Sequence, residues 1–157
     1  MADGEALANW RWSQFRALEP ADLYDILALR TAVFIVEQEC AYQDSDGVDL
    51  VSHHLWMRDS RGFISAYLRV VPPTVKYEEP SLGRIVTAPA ARGLGLGRAL
   101  VREGITRLES LYGRQPIRIG AQRYLLRFYQ ELGFLPVGAV YEEDGIPHVE
   151  MVRTPDP

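Results

Sequence analysis

Cysteine is nearly absent: Cys40 stands alone in 157 residues, so no internal disulfide can form and the chain suits a reducing compartment. No apolar run approaches the roughly 20 residues that a membrane span needs. The opening MADGEALANW has neither the basic nor the apolar region of a secretion signal, so the expected location is the cytoplasm. Basic residues are not in excess. Seventeen Lys and Arg against 21 Asp and Glu leave a formal charge of −4 at pH 7, and a protein that binds a phosphate backbone normally shows a basic face, so nucleic acid is excluded as the expected partner. Internal repeats, low-complexity tracts and linkers are also lacking. One domain over residues 1–157 is therefore expected, with residues 1–9 and 154–157 loose. Apolar content of 47% and charged content of 24% are ordinary for a globular chain of this length, which can bury a core without staples.

What is present reads as alternating strands and helices. Residues 10–15 alternate imperfectly as a strand. Pro20 opens a helix whose Leu23, Ile26, Leu27, Val33 and Phe34 share a face. Residues 41–52 are polar and loop-like. The segment Asp44-Ser45-Asp46-Gly47-Val48-Asp49 imitates the start of a calcium loop, but Leu55 stands where a bidentate Glu would close the site, so a solvated turn is expected and no metal. Residues 54–58 and 63–71 form a hairpin, and 82–87 a further strand. A helix carries Leu100, Val101, Ile105 and Leu108. Residues 117–121 are a strand, and 122–132 a helix closed by Gly133. A hairpin over 137–141 and 148–152 turns at Asp144-Gly145. The order β-α-β-β-β-α-β-α-β-β predicts a mixed α/β (α+β) layout.

Between the strand at 82–87 and the next helix lies Arg92-Gly93-Leu94-Gly95-Leu96-Gly97-Arg98. Glycines let the backbone approach a ligand closely, and a helix start offers unpaired N–H groups, so the pair makes a cradle for phosphate. It is not a Walker loop, because Gly97 precedes Arg98 and Ala99 rather than Lys and Ser or Thr. It is a poor dinucleotide fingerprint, because Leu100 occupies the place of the third glycine. No His-Arg-Asp or Asp-Phe-Gly follows as in a kinase.

The spacing Arg92-x-x-Gly95-x-Gly97, followed by Gln122 and Phe128-Tyr129-Gln130-Glu131-Leu132-Gly133-Phe134, resembles the cofactor site of the GNAT acyltransferase superfamily. The segments from Val33 to Asp44 and from Tyr141 to His148 resemble its ElaA-like branch. The resemblance spans about residues 29–151. It implies a mixed, mostly antiparallel central sheet with helices on both faces and a strand splayed at the cofactor site. It also implies acetyl-CoA as cofactor, without a metal. Ile85, Val86 and Thr87 would meet the pantetheine arm, and the backbone of Gly93, Leu94, Gly95, Leu96, Gly97 and Arg98, with the Arg92 and Arg98 side chains, would hold the pyrophosphate. Gln122 and Tyr129 would complete the site, with Tyr129 near the sulfur as proton donor; the alternative is a tyrosine that merely packs.

Many members carry a glutamate on the cofactor strand, where this chain has Gly83 and Arg84. Glu37 and His54 are then the candidate bases, each also readable as structural, and a water chain is a third route. Direct transfer in a ternary complex is implied, rather than a covalent intermediate on Cys40. The expected activity is acetylation of a primary amine on a small molecule or peptide. A coenzyme-binding module without turnover is the alternative, and a homodimer through the closing hairpin is compatible with both.

Overall fold

The computed structural model describes residues 9–156, so the looseness expected of residues 1–8 and 157 lies outside the described residues. Four strands, β1 (Arg11–Gln14), β2 (His53–Arg58), β3 (Ile64–Val71) and β4 (Ser81–Thr87), form one antiparallel sheet in that spatial order. A second sheet holds β5 (Ile117–Gln122), β6 (Phe134–Glu143) and β7 (Ile146–Arg153), with β7 in the middle. Three α-helices connect them: α1 (Pro20–Arg30), α2 (Leu96–Tyr112) and α3 (Leu126–Gln130).

Side-chain alternation, reversed in phase by bulges at Ser65 and at Arg84–Ile85, sorts two cores. Leu55, Met57, Ala66, Leu68 and Val70 face Leu100, Val101 and Leu108 of α2. Trp56, Ile64, Tyr67 and Val86 point the other way, onto Ile26 and Val33. Helices thus cover both faces, and all eight residues of β3 are buried. Gly104 shows how close the layers come: a Cβ there would sit 2.8 Å from Leu68 Cδ2, so a larger residue would force that buried side chain to move.

Between the sheets, the Arg118 N–H donates to the Pro80 carbonyl at 3.2 Å, where both strands start. Beyond that point β4 and β5 belong to separate ladders. Their far ends, Thr87 and Gln122, border one cleft of about 910 Å³.

Four elements differ in extent or type from the sequence reading. The first strand stops at Gln14, because Phe15–Ala17 turn as a short 3-10 helix. The helix from Pro20 widens to a π-helix over Thr31–Glu37, where β-branched Thr31, Val33, Ile35 and Val36 crowd an α-turn. Gln122 stays in β5, paired with His148, so a 3-10 turn at Arg123–Leu125 precedes a helix of only five residues. Gly133, at φ 94°, still follows its end. The closing hairpin is longer than its alternation suggests. β6 starts at Phe134, and its register with β7 shifts between Val137 and Tyr141, where Gly138 adopts φ 78°.

The loop expected to be a solvated turn is the largest departure. Asp44 and Asp49 are buried. Arg30 donates to Asp44 at 2.9 Å and to Asp49 at 2.8 Å, Arg69 to Asp46 at 2.8 Å and to Asp49 at 3.0 Å, and Arg84 to Asp44 at 2.8 Å. Burial alone would raise the Asp49 carboxyl, but the hydrogen bonds and charges of Arg30 and Arg69 hold it below its ordinary value. The acids are consumed as counter-charges for three arginines on three elements. No group of three or more His, Cys, Asp or Glu fit for a metal occurs among the described residues.

Candidate active site

The start of α2 is built to receive an anion. Gly95 caps it at φ 75°, no side chain bonds its first turn, and no acidic residue lies there. Added Cβ atoms on Gly93 and Gly95 would meet nothing within 4 Å, so the space before the helix is open. A cavity of about 280 Å³ sits there, lined by Gly93, Gly95, Leu96, Gly97 and Arg98. Leu94 departs from the expected set: its side chain is 78% exposed and outside the cavity lining, leaving only its backbone for the loop. Both flanking arginines hold carboxylates. Arg92 donates to both Glu37 oxygens at 2.5 and 2.7 Å, and Arg98 donates to Glu131. Two guanidiniums that already grip carboxylates beside an uncapped helix start fit a phosphate-bearing group.

This small cavity and the large cleft share Thr87 and Arg92. Ile85, Val86 and Thr87 line the cleft along β4. A bulge distorts that strand: Tyr67 pairs with Val86 but Arg69 pairs with Gly83, so one residue on β3 faces two on β4. Arg84 takes φ 50°, a left-handed backbone that a side chain disfavours. Its pairing with Asp44 and its position 5.6 Å over the Tyr42 ring hold it there. A bulge leaves backbone polar groups outside the ladder, and this one lies at the cleft wall.

Tyr129 reaches the cleft from α3 with 5% exposure. Its ring is fixed edge-on by Phe128 at 5.0 Å and Phe134 at 5.9 Å. Burial pushes its phenol well above the ordinary tyrosine value, so it stays protonated. Gln122 lines the cleft and donates to Gln38 at 3.2 Å, tying β5 to the end of the π-helix. Glu37 lines it too, but its hydrogen bonds from Arg92 hold the carboxyl below its ordinary range and weaken it as a base.

His54 is elsewhere. It is 1% exposed, outside the cleft lining, and both ring nitrogens are taken. Nε2 donates to the Asp49 carbonyl at 3.0 Å, so Nδ1 accepts from the Tyr67 hydroxyl at 2.7 Å. Burial lowers its pKa and keeps it neutral. It is a structural bridge under the arginine cluster.

A different histidine lines the cleft. His148 donates through Nδ1 to the Ile146 carbonyl at 2.7 Å, which leaves the Nε2 lone pair free. Glu143 lies 3.6 Å from that nitrogen and Tyr141 stacks on the ring at 5.8 Å. Sequence alone placed His148 only in a strand; its pairing across the hairpin is what turns it inward. Gly120 has a similar hidden role, since a Cβ there would stand 3.0 Å from the hydroxyls of both Tyr77 and Tyr141.

The open start of α2, flanked by arginines, is continuous with the cleft between the splayed strands. Residues 34–155 match the acetyltransferase (GNAT) domain family, and the chain belongs to it. It is 41% identical over 144 residues to a UPF0039 protein of Synechocystis, covering 92% of this chain and 94% of that one. A solved acyl-CoA N-acyltransferase of Pseudomonas aeruginosa is 40% identical, with a TM-score of 0.87 over 93% of this chain and 99% of that one. Escherichia coli ElaA is 38% identical, with a TM-score of 0.86 over 92% and 97%. Membership of this family makes acyl transfer the general activity.

Proposed function

We propose that the protein is an N-acetyltransferase that uses acetyl-CoA and acetylates a primary amine of a small molecule or peptide, by direct transfer in a ternary complex. The continuity of the two cavities at Thr87 and Arg92 carries this reading. It lets a pyrophosphate rest on α2 while the arm runs along β4 and leaves the far wall for an acceptor.

Bound acetyl-CoA supplies an activated thioester. The N–H groups at the start of α2, with Arg92 and Arg98, hold the anionic head. The β4 bulge leaves Arg84 and Ile85 outside the ladder at the cleft wall, where a preplaced N–H would stabilise negative charge as it builds on an oxygen. Tyr129 holds its proton in the cleft and presents it to the departing sulfur. His148 Nε2 accepts the proton of the acceptor ammonium, with the Glu143 carboxylate 3.6 Å away. Glu37 attracts the ammonium once Arg92 turns to phosphate. Direct transfer leaves Cys40 no carrier role; its buried thiol has the Gln38 and Asp144 carbonyl oxygens each at 3.4 Å, one of which its single proton engages at a time.

Calorimetric titration with coenzyme A, followed by an amine panel read by release of the free thiol, tests the proposal. Saturable release with an amine supports it. Binding without release would instead identify a coenzyme-binding module, the reading that Gly83 at the usual glutamate position favours.

A further inference from the structure

Only one of the 17 basic residues is a lysine, and that residue, Lys76, lines the cleft. Every other cationic side chain in the site is an arginine, which does not act as an acyl acceptor. Lys76 sits in the β3–β4 connection, where the Thr74 N–H donates to the Tyr77 carbonyl at 2.8 Å and sets the turn. Tyr77 is in turn seated over Gly120. The lysine is exposed, so its amine is open to the cleft. The acids that act on it are committed elsewhere: Asp46 is paired with Arg69 and Arg84, and Glu143 lies beside His148.

We propose that Lys76 is an acyl acceptor built into the chain, acetylated within the same molecule when no amine substrate fills the cleft. The inference rests on the acetyl-CoA reading above. In this step the neutral amine attacks the thioester carbonyl carbon, a C–N bond forms and the C–S bond breaks. The nitrogen's protons go one to solvent before attack and one after it, and the thiolate takes a proton to leave as free coenzyme A. The product is a neutral amide in the cleft wall.

Lys76 lines the same cleft as Arg84 and Ile85, the start of the expected thioester strand. A lysine carries its amine on a flexible four-carbon stem, long enough to sweep the wall from a fixed turn. Burial of part of the side chain and the charges of Arg69 and Arg84 lower its pKa, against a smaller opposing effect of Asp46 and Glu143, which raises the fraction of nucleophilic free amine.

The full chain is incubated with acetyl-CoA and no amine, then read by intact mass and peptide mapping. One acetyl group on Lys76 is expected, gained with a first-order rate that dilution does not change. Lys76→Arg should lose that gain and keep its affinity for coenzyme A. A second readout needs no turnover: N-hydroxysuccinimidyl acetate should label Lys76, and saturating coenzyme A, which cannot donate, should slow the labelling several-fold. A chain that binds coenzyme A and acetylates added amines but leaves Lys76 bare overturns this inference alone. So does acetylation confined to the N-terminal amine, a rate that rises with protein concentration, or labelling indifferent to coenzyme A. A chain that binds no coenzyme A overturns this inference and the proposed function together.

Discussion

Tyr129→Phe deletes one oxygen from a ring that Phe128 and Phe134 hold in place. The ring's packing is retained. No hydrogen bond within the protein uses that hydroxyl among the described residues, so no buried partner is stranded and the melting temperature should not fall. The magnitude of the kinetic loss follows from the environment. A phenol starts near pKa 10 and a thiol near 8.5, and burial pushes this phenol higher still. Complete proton transfer to the sulfur is therefore uphill, and the hydroxyl acts chiefly as a hydrogen-bond donor to developing negative charge. Such a bond to a charged group contributes about 1.5–3 kcal/mol, which converts to a drop in kcat of roughly 10- to 150-fold. Stopped assays of thiol release give kcat, and calorimetry gives coenzyme affinity, which should be unchanged. If kcat stays within a factor of about two, below the smallest effect this bond allows, Tyr129 only packs and the sulfur is protonated by another route.

Gly95→Val forces a branched residue into a left-handed conformation and crowds the open space before α2. A backbone cost of about 1–2 kcal/mol adds to the clash, and coenzyme affinity should fall on the order of ten-fold or more; unchanged affinity in a folded variant would remove the cradle. Glu37→Gln releases Arg92, so coenzyme binding should tighten while the KM for the amine rises, whereas weaker coenzyme binding would show that Glu37 orders the loop instead. His148→Gln should lower kcat with coenzyme affinity retained, and His54→Gln, outside the cleft, should leave kcat in place. The His54 variant changes stability instead. Because the folded pKa of His54 is lowered, its contribution is full above the ordinary value near 6.5 and is lost on acidification below it, so urea unfolding of the variant should show a weaker pH dependence there. Asp49→Asn leaves Arg30 and Arg69 with one fewer buried counter-charge. The loss should approach the 3–5 kcal/mol typical of a broken buried pair, and a loss under about 1 kcal/mol would mean the cluster behaves as a surface one.

The order of strands and helices, the α2 face of Leu100, Val101 and Leu108, the turn at Asp144-Gly145 and the glycine-rich, open approach to α2 at Gly93–Gly97 were legible in the sequence. Each depends on neighbours within a few residues: a hydrophobic period, a turn dipeptide, or glycines before a helix start. The partners of charged side chains were not legible in this way. Glu37 meets Arg92 across 55 positions, and Arg84 meets Asp44 across 40. Asp44 and Asp49 look like solvated turn residues until three elements bring arginines onto them. His54 and His148 both sit in strands with ordinary alternation, yet one is sealed beneath the cluster and the other faces the cleft. Periodicity tells which residues share a face of an element. Which face meets the core and which the cleft depends on sheet register, including the bulge at Arg84 and Ile85 and the shift between Val137 and Tyr141, and on the separation of β4 from β5. Those are properties of strands paired far along the chain, so the identity of the site's charged groups was decided only when the two sheets came together.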